Sequence, residues 1–264
     1  MMISVIITTR NEEYNLPDLL DSLVVQEKPF EIIIIDSGST DKTVPIAQKY
    51  SKRYPEVKLL HFAGTRGDSR NYGVKRAKGD AVAFIDGDCI ANPFWLKEFR
   101  KSLKNQKIVA GKTINLGYQA FVQLDRVELF HKGVDLTFPS CNLVYDSKLF
   151  KKVKGFDSRF VTAEDIDLNY RAINAGAGLE YNEKAVVYHR VRSTFYAFCR
   201  QAFWNGFGRK QLTMKHGRLW QNYNLSLMFK HRVRLWYLIR MVIALMGYMT
   251  CKLFKGGKFA AQTS

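Results

Sequence analysis

Asp86 and Asp88 are separated only by Gly87 and end the apolar run Ala81-Val82-Ala83-Phe84-Ile85. An uncharged run of this length reads as a buried strand. In an open α/β sheet, ligands collect outside the carboxyl ends of such strands. Two hard oxygen donors with coordination positions to spare suit Mg²⁺ or Mn²⁺ shared with a diphosphate. Gly87, without a side chain, leaves room for phosphate oxygens. The plainer alternative is a strand-to-turn junction, where Asp and Gly are common.

Other polar residues recur at strand ends. Ser4-Val5-Ile6-Ile7-Thr8 predicts a first strand followed by Arg10 and Glu12, and Glu31-Ile32-Ile33-Ile34-Ile35 a second ending at Asp36. Asp36 can accept from the N–H of uracil or both N–H groups of guanine, and Arg10 can stack on the base. Alternatively, Asp36 caps the turn Ser37-Gly38-Ser39-Thr40-Asp41 that leads into a helix to about Tyr50. Among Arg66, Arg70 and Lys75, Arg70 is the candidate for contacting the diphosphate, with a solvated helix face as the alternative. Neither G-x-x-x-x-G-K-[ST] nor G-x-G-x-x-G occurs, which removes an ATPase phosphate loop and the dinucleotide fingerprint.

The elements that position these residues alternate. Helices are expected from Leu16 to Val25 and from Asp68 to Ala77, with a strand at Val57–Leu60 between them. Short strand–helix alternation means a parallel sheet wound with helices. At 264 residues the chain is one large domain or one domain plus an appendage. Cys89, Cys141, Cys199 and Cys251 lack paired or metal-ligand spacing and read as free thiols of a reducing compartment. Strand-like sequence from Ile3 leaves no room for a signal peptide.

Four motifs carry a family resemblance. Ser-Val-Ile-Ile-Thr-Thr-Arg-Asn-Glu-Glu, Ile-Ile-Ile-Asp-Ser-Gly-Ser-Thr-Asp, Ser-Arg-Asn-Tyr-Gly-Val-Lys-Arg-Ala-Lys-Gly-Asp and Phe-Ile-Asp-Gly-Asp follow one another. Their order and spacing resemble family 2 glycosyltransferases across about residues 3–190. The resemblance implies an α/β GT-A fold: a Rossmann-like, mostly parallel sheet with helices on both faces. It assigns the nucleotide to Thr8, Arg10, Glu12, Asp36, Arg70 and Asp86, and the Mn²⁺ or Mg²⁺ and diphosphate to Asp86 and Asp88. Arg10 stands where many relatives carry Tyr.

The second half is expected to supply the acceptor side. Thr162-Ala163-Glu164-Asp165-Ile166-Asp167 opens a helix, and Thr162 with Asp165 fits a capping box. The same stretch resembles the family's Glu-Asp motif, which implies Asp165 as the general base for an acceptor hydroxyl, with Glu164 positioning the acceptor and the alternative choice for the base. His189 ends the strand Val186–Arg190 and is a candidate third metal ligand, with Arg190 or Arg192 facing phosphates. Asn142, Trp204 and Arg209 are the acceptor-side candidates. The last two lie in a stretch resembling the family's post-catalytic Gln/Arg-Trp region.

Charge divides the chain. Residues 184–264 hold 15 Lys/Arg and no Asp or Glu, leaving 26 basic against 24 acidic side chains before them. A block of one sign needs an anionic partner. Expected domains are therefore 1–192, catalytic, and 193–264, a basic aromatic helical segment. Within the latter, a helix is expected over Phe195–Leu212 and another over Arg232–Phe254. Leu235–Cys251 gives 17 residues with one charge, Arg240, short of the about 20 that span a bilayer. Lys252, Lys255 and Lys258 follow, so the amphipathic helix is read as lying in an anionic leaflet. Spanning the membrane, or forming a core or homodimer helix, are the alternatives.

Together these features imply an inverting, metal-dependent hexosyltransferase on the cytoplasmic face of a membrane. Its partners would be a nucleotide-sugar donor, GDP-mannose first and a UDP-hexose second, a polyprenyl-phosphate-type acceptor and the anionic membrane, not nucleic acid. A nucleotidyltransferase and a non-enzymatic polyanion binder are the competing classes.

Overall fold

The computed structural model describes residues 1–122, 124, 126–191, 194–217, 219, 222–224 and 234–253. Arg192, Arg232, Phe254, Lys255 and Lys258, named above, lie outside the described residues. The chain divides into two compact units: residues 1–114, 138–156 and 171–189, and residues 115–137, 157–170 and 190–264. The expected boundary at 192/193 falls near the start of the last of these segments. Residues 115–137 and 157–170, which the charge pattern gave no reason to separate, group with it.

The first unit begins β1 (Ile3–Thr9), α1 (Leu16–Val24), β2 (Phe30–Asp36), α2 (Thr43–Arg53), β3 (Val57–His61), α3 (Arg66–Val74) and β4 (Ala81–Asp86). It continues through β5 (Cys89–Ala91), α4 (Trp95–Ser102) and β6 (Ile108–Leu116). After a short helix α5 (Gln119–Val122) and strands β7 (Glu128–His131) and β8 (Val134–Asp135) come β9 (Leu143–Asp146) and α6 (Ser147–Lys152). The remaining elements are α7 (Glu164–Asn174), β10 (Leu179–Arg190), α8 (Phe195–His216), β11 (Tyr223–Asn224) and α9 (Arg234–Leu253).

Eight strands form one sheet in the order β3-β2-β1-β4-β9-β6-β10-β5. β1 to β4 run parallel, whereas β9 is antiparallel to both β4 and β6, and β5 to β10. Alternation of side chains across the sheet explains why both faces are covered. Val5, Ile7, Ile32 and Ile34 join Leu16, Leu19, Leu20 and Leu23 of α1 in one core, while Ile6 and Ile35 face Gly73 of α3. The central strands β1, β2 and β4 are rich in apolar residues because both of their faces are covered, whereas the edge strand β3 is only partly buried.

This order places a switch point between β1 and β4: the chain winds outward to β2 and β3, then crosses back. A crevice opens at such a point. The parallel register sets Thr9 beside Asp36 and Thr8 beside Asp86. The helix expected from Asp68 starts earlier, because Thr65 and Asp68 form a reciprocal capping box.

In the second unit, β7, β8 and β11 make a small antiparallel sheet. Phe121, Leu124, Phe198 and Tyr237 form a separate apolar cluster. Helix α8 is capped by the Thr194 hydroxyl, which accepts from Ala197 N–H, and it runs four residues beyond the expected Leu212.

Candidate active site

The loops after β1 and β2 are tied to each other by the residues of the first two motifs. Asn11 Oδ1 accepts from Thr40 N–H, while Asn11 N–H donates to Ser39 Oγ. Glu13 accepts from Lys42 N–H and donates its own N–H to Asp41; Glu12 N–H donates to Thr43. Asn11 adopts a left-handed φ of 57°, which Asn tolerates better than most residues. Much of these motifs is therefore a clasp.

Asp36 belongs to it. Its carboxylate, 3% exposed, accepts from Gly38 N–H, Ser39 N–H and Ser39 Oγ–H. It closes its own turn, the plainer of the two readings. Arg10 is exposed and Thr8 partly buried. Thr9, not singled out from sequence, has a buried hydroxyl with no hydrogen-bond partner among the described residues.

The third motif divides into separate tasks. Ser69 Oγ lies 3.0 Å from Ser37 Oγ, and Asn71 exchanges two hydrogen bonds with the backbone of Phe156. Arg70 is 1% exposed, lies 5.3 Å from the centre of the Phe156 ring and donates to Asp86 Oδ1 at 2.7 Å. So Arg70, proposed for the diphosphate, is buried here and orients Asp86. Burial alone would raise the Asp86 carboxyl, but Arg70, then Arg66 and His189, hold it below the usual carboxylate range.

Asp88 is balanced differently. Burial raises its carboxyl, His189 opposes this and Asp86 raises it further; the net direction is up. His189 arrives because β10 pairs with β5 in the register His189–Cys89, bringing Nε2 to 3.6 Å from Asp88 Oδ1. The space beside Gly87 is taken by Glu12: a Cβ on Gly87 would stand 2.9 Å from Glu12 Cγ. The room expected there for phosphate thus admits a third carboxylate. Burial raises Glu12 as well, Asn15 partly offsets it, and Asp88 and Asp86 add to the rise.

These donors fit a divalent cation. A ligand atom from each of Asp88, Cys89 and His189 lies within 4.8 Å of the others. The Cys89 thiol is pushed far up by its hydrogen bond with Cys141 and by burial, which leaves oxygen and imidazole donors, a set Mn²⁺ accepts. Arg70 compensates Asp86, while Asp88 and Glu12 stay above the ordinary range. A cation would relieve that repulsion.

In the second unit, Glu164 is buried and Asp165 half-buried at the start of α7, just after Ala163 at φ 65°. A non-glycine residue in that region is a strained position. The expected Thr162–Asp165 capping box is replaced by other bonds. Thr162 donates its hydroxyl to the Trp204 carbonyl, and Asp165 Oδ1 accepts from Ile166 N–H.

The acceptor-side candidates fare unevenly. Asn142 is fully buried: Nδ2 donates to the Lys112 and Ala185 carbonyls, and Oδ1 accepts from Trp95 Nε1. Assigning it to the acceptor is corrected, because an amide with no exposure and three internal partners ties strands together. Trp204 packs edge-on against Phe203 and Phe207. Arg209 donates to the Val127 carbonyl and lies over Tyr223.

Sequence reasoning missed one cluster. Asp167, fully buried, receives Lys215 Nζ at 2.6 Å and His216 Nε2 at 2.7 Å. Asp157 receives Lys215 and Arg159, and His216 packs at a tilt against Tyr170. His216 and Asp167 lie 49 residues apart in sequence and Lys215 and Asp157 58 apart, so no local pattern announces those pairs.

Residues 4–154 match the family described as Glycosyl transferase family 2, and residues 127–256 match Glycosyl transferase family group 2. Glycosyltransferase AglE of Haloferax volcanii is 25% identical over 253 residues, 90% of this chain and 80% of that protein. The pre-mycofactocin glycosyltransferase of Mycobacterium tuberculosis is 28% identical over 224 residues, 77% of this chain, which spans 46% of that longer protein. Among solved structures, Staphylococcus aureus TarS 1–349 with UDP superposes with a TM-score of 0.61 at 20% identity, covering 96% of this chain and 90% of that one. Mannosyltransferase PcManGT of Pyrobaculum calidifontis, with GDP-Man and Mn²⁺, gives 0.65 at 16% identity, covering 98% and 77%. At these identities the structures show a shared GT-A fold.

Proposed function

This chain belongs to glycosyl transferase family 2, and from that premise we propose that it is an inverting, divalent-metal-dependent hexosyltransferase acting on a lipid-linked acceptor. Glycosyltransferase chemistry follows from the family. The direction of transfer, the metal, the donor, the acceptor and the residue roles are proposals. One observation carries the reading: Asp86, Asp88, Glu12 and His189 gather around Gly87 at the carboxyl end of β4, with Arg70 paired to Asp86.

Asp88 and His189, with Asp86 fixed by Arg70, would hold the metal. Mn²⁺ or Mg²⁺, when bound, neutralises the charge that builds on the departing nucleoside diphosphate. Thr8, Thr9 and Arg10 bind the nucleoside at the end of β1, beside the turn that Asp36 closes. Asp165 takes the proton of the acceptor hydroxyl as that oxygen bonds to the anomeric carbon and the bond to the diphosphate breaks. Glu164, buried at the start of the same helix, positions the acceptor.

GDP-mannose and UDP-hexoses are the donors to test, since the structures sharing this fold were solved with GDP-Man and with UDP. The acceptor reading rests on the second unit. Leu235–Leu253 is long and apolar enough to cross a membrane, and 17% of that window is buried. It lies in a region of 15 Lys/Arg without a carboxylate. A helix of this kind suits an anionic bilayer surface on the cytoplasmic side.

A panel of GDP-mannose, UDP-glucose, UDP-GlcNAc and UDP-galactose, with and without Mn²⁺, tests the donor side by thermal shift. A Mn²⁺-dependent rise in Tm with one donor supports the reading and names the sugar. No rise with any of them overturns the donor and metal assignments.

A further inference from the structure

Helices α8 and α9 meet backbone to backbone where glycine removes the side chain. A Cβ on Gly206 would collide with the backbone of Ala244, and one on Gly247 with that of Phe203. At this crossing a cleft of about 350 Å³ is lined by Tyr196, Cys199, Arg200 and Phe203 from α8, and by Ile243 and Met246 from α9. Its wall is almost wholly apolar. The single charged side chain in it, Arg200, is exposed.

The surroundings match. Met246, 59% exposed, belongs both to the cleft and to a stripe along α9 that includes Leu238, Val242, Leu245 and Met249. The spacing of three and four residues puts these side chains on one face. An exposed apolar face of this size marks a surface for a partner or a lipid. The segment that supplies both helices carries charge of one sign, since no carboxylate follows Glu183 in sequence. An apolar trough bounded by two helices with a cation at its wall is complementary to a hydrocarbon chain ending in a phosphate.

We infer that this cleft binds the hydrocarbon chain of a single-chain lipid phosphate, with Arg200 at the phosphate. The inference rests on the lipid-linked acceptor proposed above and deepens it. The chain lies between α8 and α9, and Arg200 distinguishes the phosphorylated lipid from the free alcohol. A cleft of about 350 Å³ is small for two acyl chains, which favours an isoprenyl or alkyl phosphate over a bilayer phospholipid.

Cys199 offers the readout, because it is partly exposed while Cys89, Cys141 and Cys251 are buried. Maleimide labelling of Cys199 is followed on the full chain in mild detergent. Farnesyl phosphate is expected to slow it about tenfold at saturation, while farnesol at equal concentration and inorganic phosphate leave it within about twofold. Arg200→Gln should raise the half-protecting concentration of farnesyl phosphate by about tenfold, the loss of one charge-assisted contact. Met246→Trp, filling the trough from its open side, should make labelling insensitive to farnesyl phosphate.

Equal protection by farnesol, or an unchanged half-protecting concentration in Arg200→Gln, overturns the role of Arg200. Absence of protection overturns the cleft. Sugar transfer to a lipid phosphate in the same preparation separates the two readings. Transfer without protection leaves the enzyme's function standing and removes the cleft, whereas neither transfer nor protection removes both.

Discussion

Each unit holds a group of buried or half-buried carboxylates, and the two groups are balanced in opposite ways. Around Gly87, Arg70 pairs with Asp86, and burial leaves Asp88, despite His189, and Glu12 above their ordinary range. Around Asp167, Lys215 bridges Asp167 and Asp157, with His216 and Arg159 completing the set. Burial would raise Asp157, but hydrogen bonds from Arg159 and Lys215 outweigh it and hold the carboxyl far below the usual range. One group is finished as a structural knot. In the other, two of the three carboxyls stay above their ordinary range.

The contrast breaks if the two groups respond alike to substitution. The largest expected effect is Asp88→Asn, which should remove Mn²⁺-dependent donor binding and lower transfer on the order of 10³-fold, by the several kcal/mol that a metal contributes. Without metal this variant should melt no lower than the parent, since it removes repulsion. A lower Tm would make Asp88 structural. Asp167→Asn should do the reverse and cost about 3–5 kcal/mol of stability by leaving Lys215 and His216 around a neutral amide. Denaturant unfolding measures it, and a loss under about 1 kcal/mol would show that the knot is incidental.

Asp165→Asn sharpens the contrast between the binding and reacting sides. Transfer should fall by about 10²-fold while Mn²⁺-dependent donor stabilisation stays unchanged. Normal turnover would move the base elsewhere.

The smallest effect is in pH. The folded pKa of Asp157 lies below its unfolded value, so its contribution is present above the unfolded pKa and is lost as pH falls through the folded one. Glu31 contributes with the same sign. Burial would raise it, but Lys58, the Lys78 N–H and Ser4 hold it low. Comparing parent with Asp157→Asn in urea melts at neutral and acid pH isolates the Asp157 share. The gap between them should narrow as pH falls, and a constant gap would mean the carboxylate carries no such linkage.

What could be read from the chain was what repeats locally. Runs of Ile and Val at the right spacing declare buried parallel strands, and polar residues at their ends declare where the sheet opens. Thr8, Asp36, Asp86 and Asp88 were legible for that reason, and so was the basic character of the last third. Element ends were less so: Thr65 starts α3 earlier than apolar spacing implies.

Tertiary structure decided the rest, because each remaining assignment turns on a partner far away in sequence. Asn142 could serve an acceptor or a core, and Trp95, Lys112 and Ala185 chose the core. Arg70 could reach phosphate or carboxylate, and its burial against Asp86 selected the carboxylate. Glu12 enters the site because Gly87 leaves it space, and His189 because an antiparallel register sets it opposite Cys89. Sequence determines which side chains can carry charge, accept a proton or bury a face. Only packing decides which of those charges are compensated, since compensation is a matter of distances of about 3 Å between groups that chain order leaves far apart.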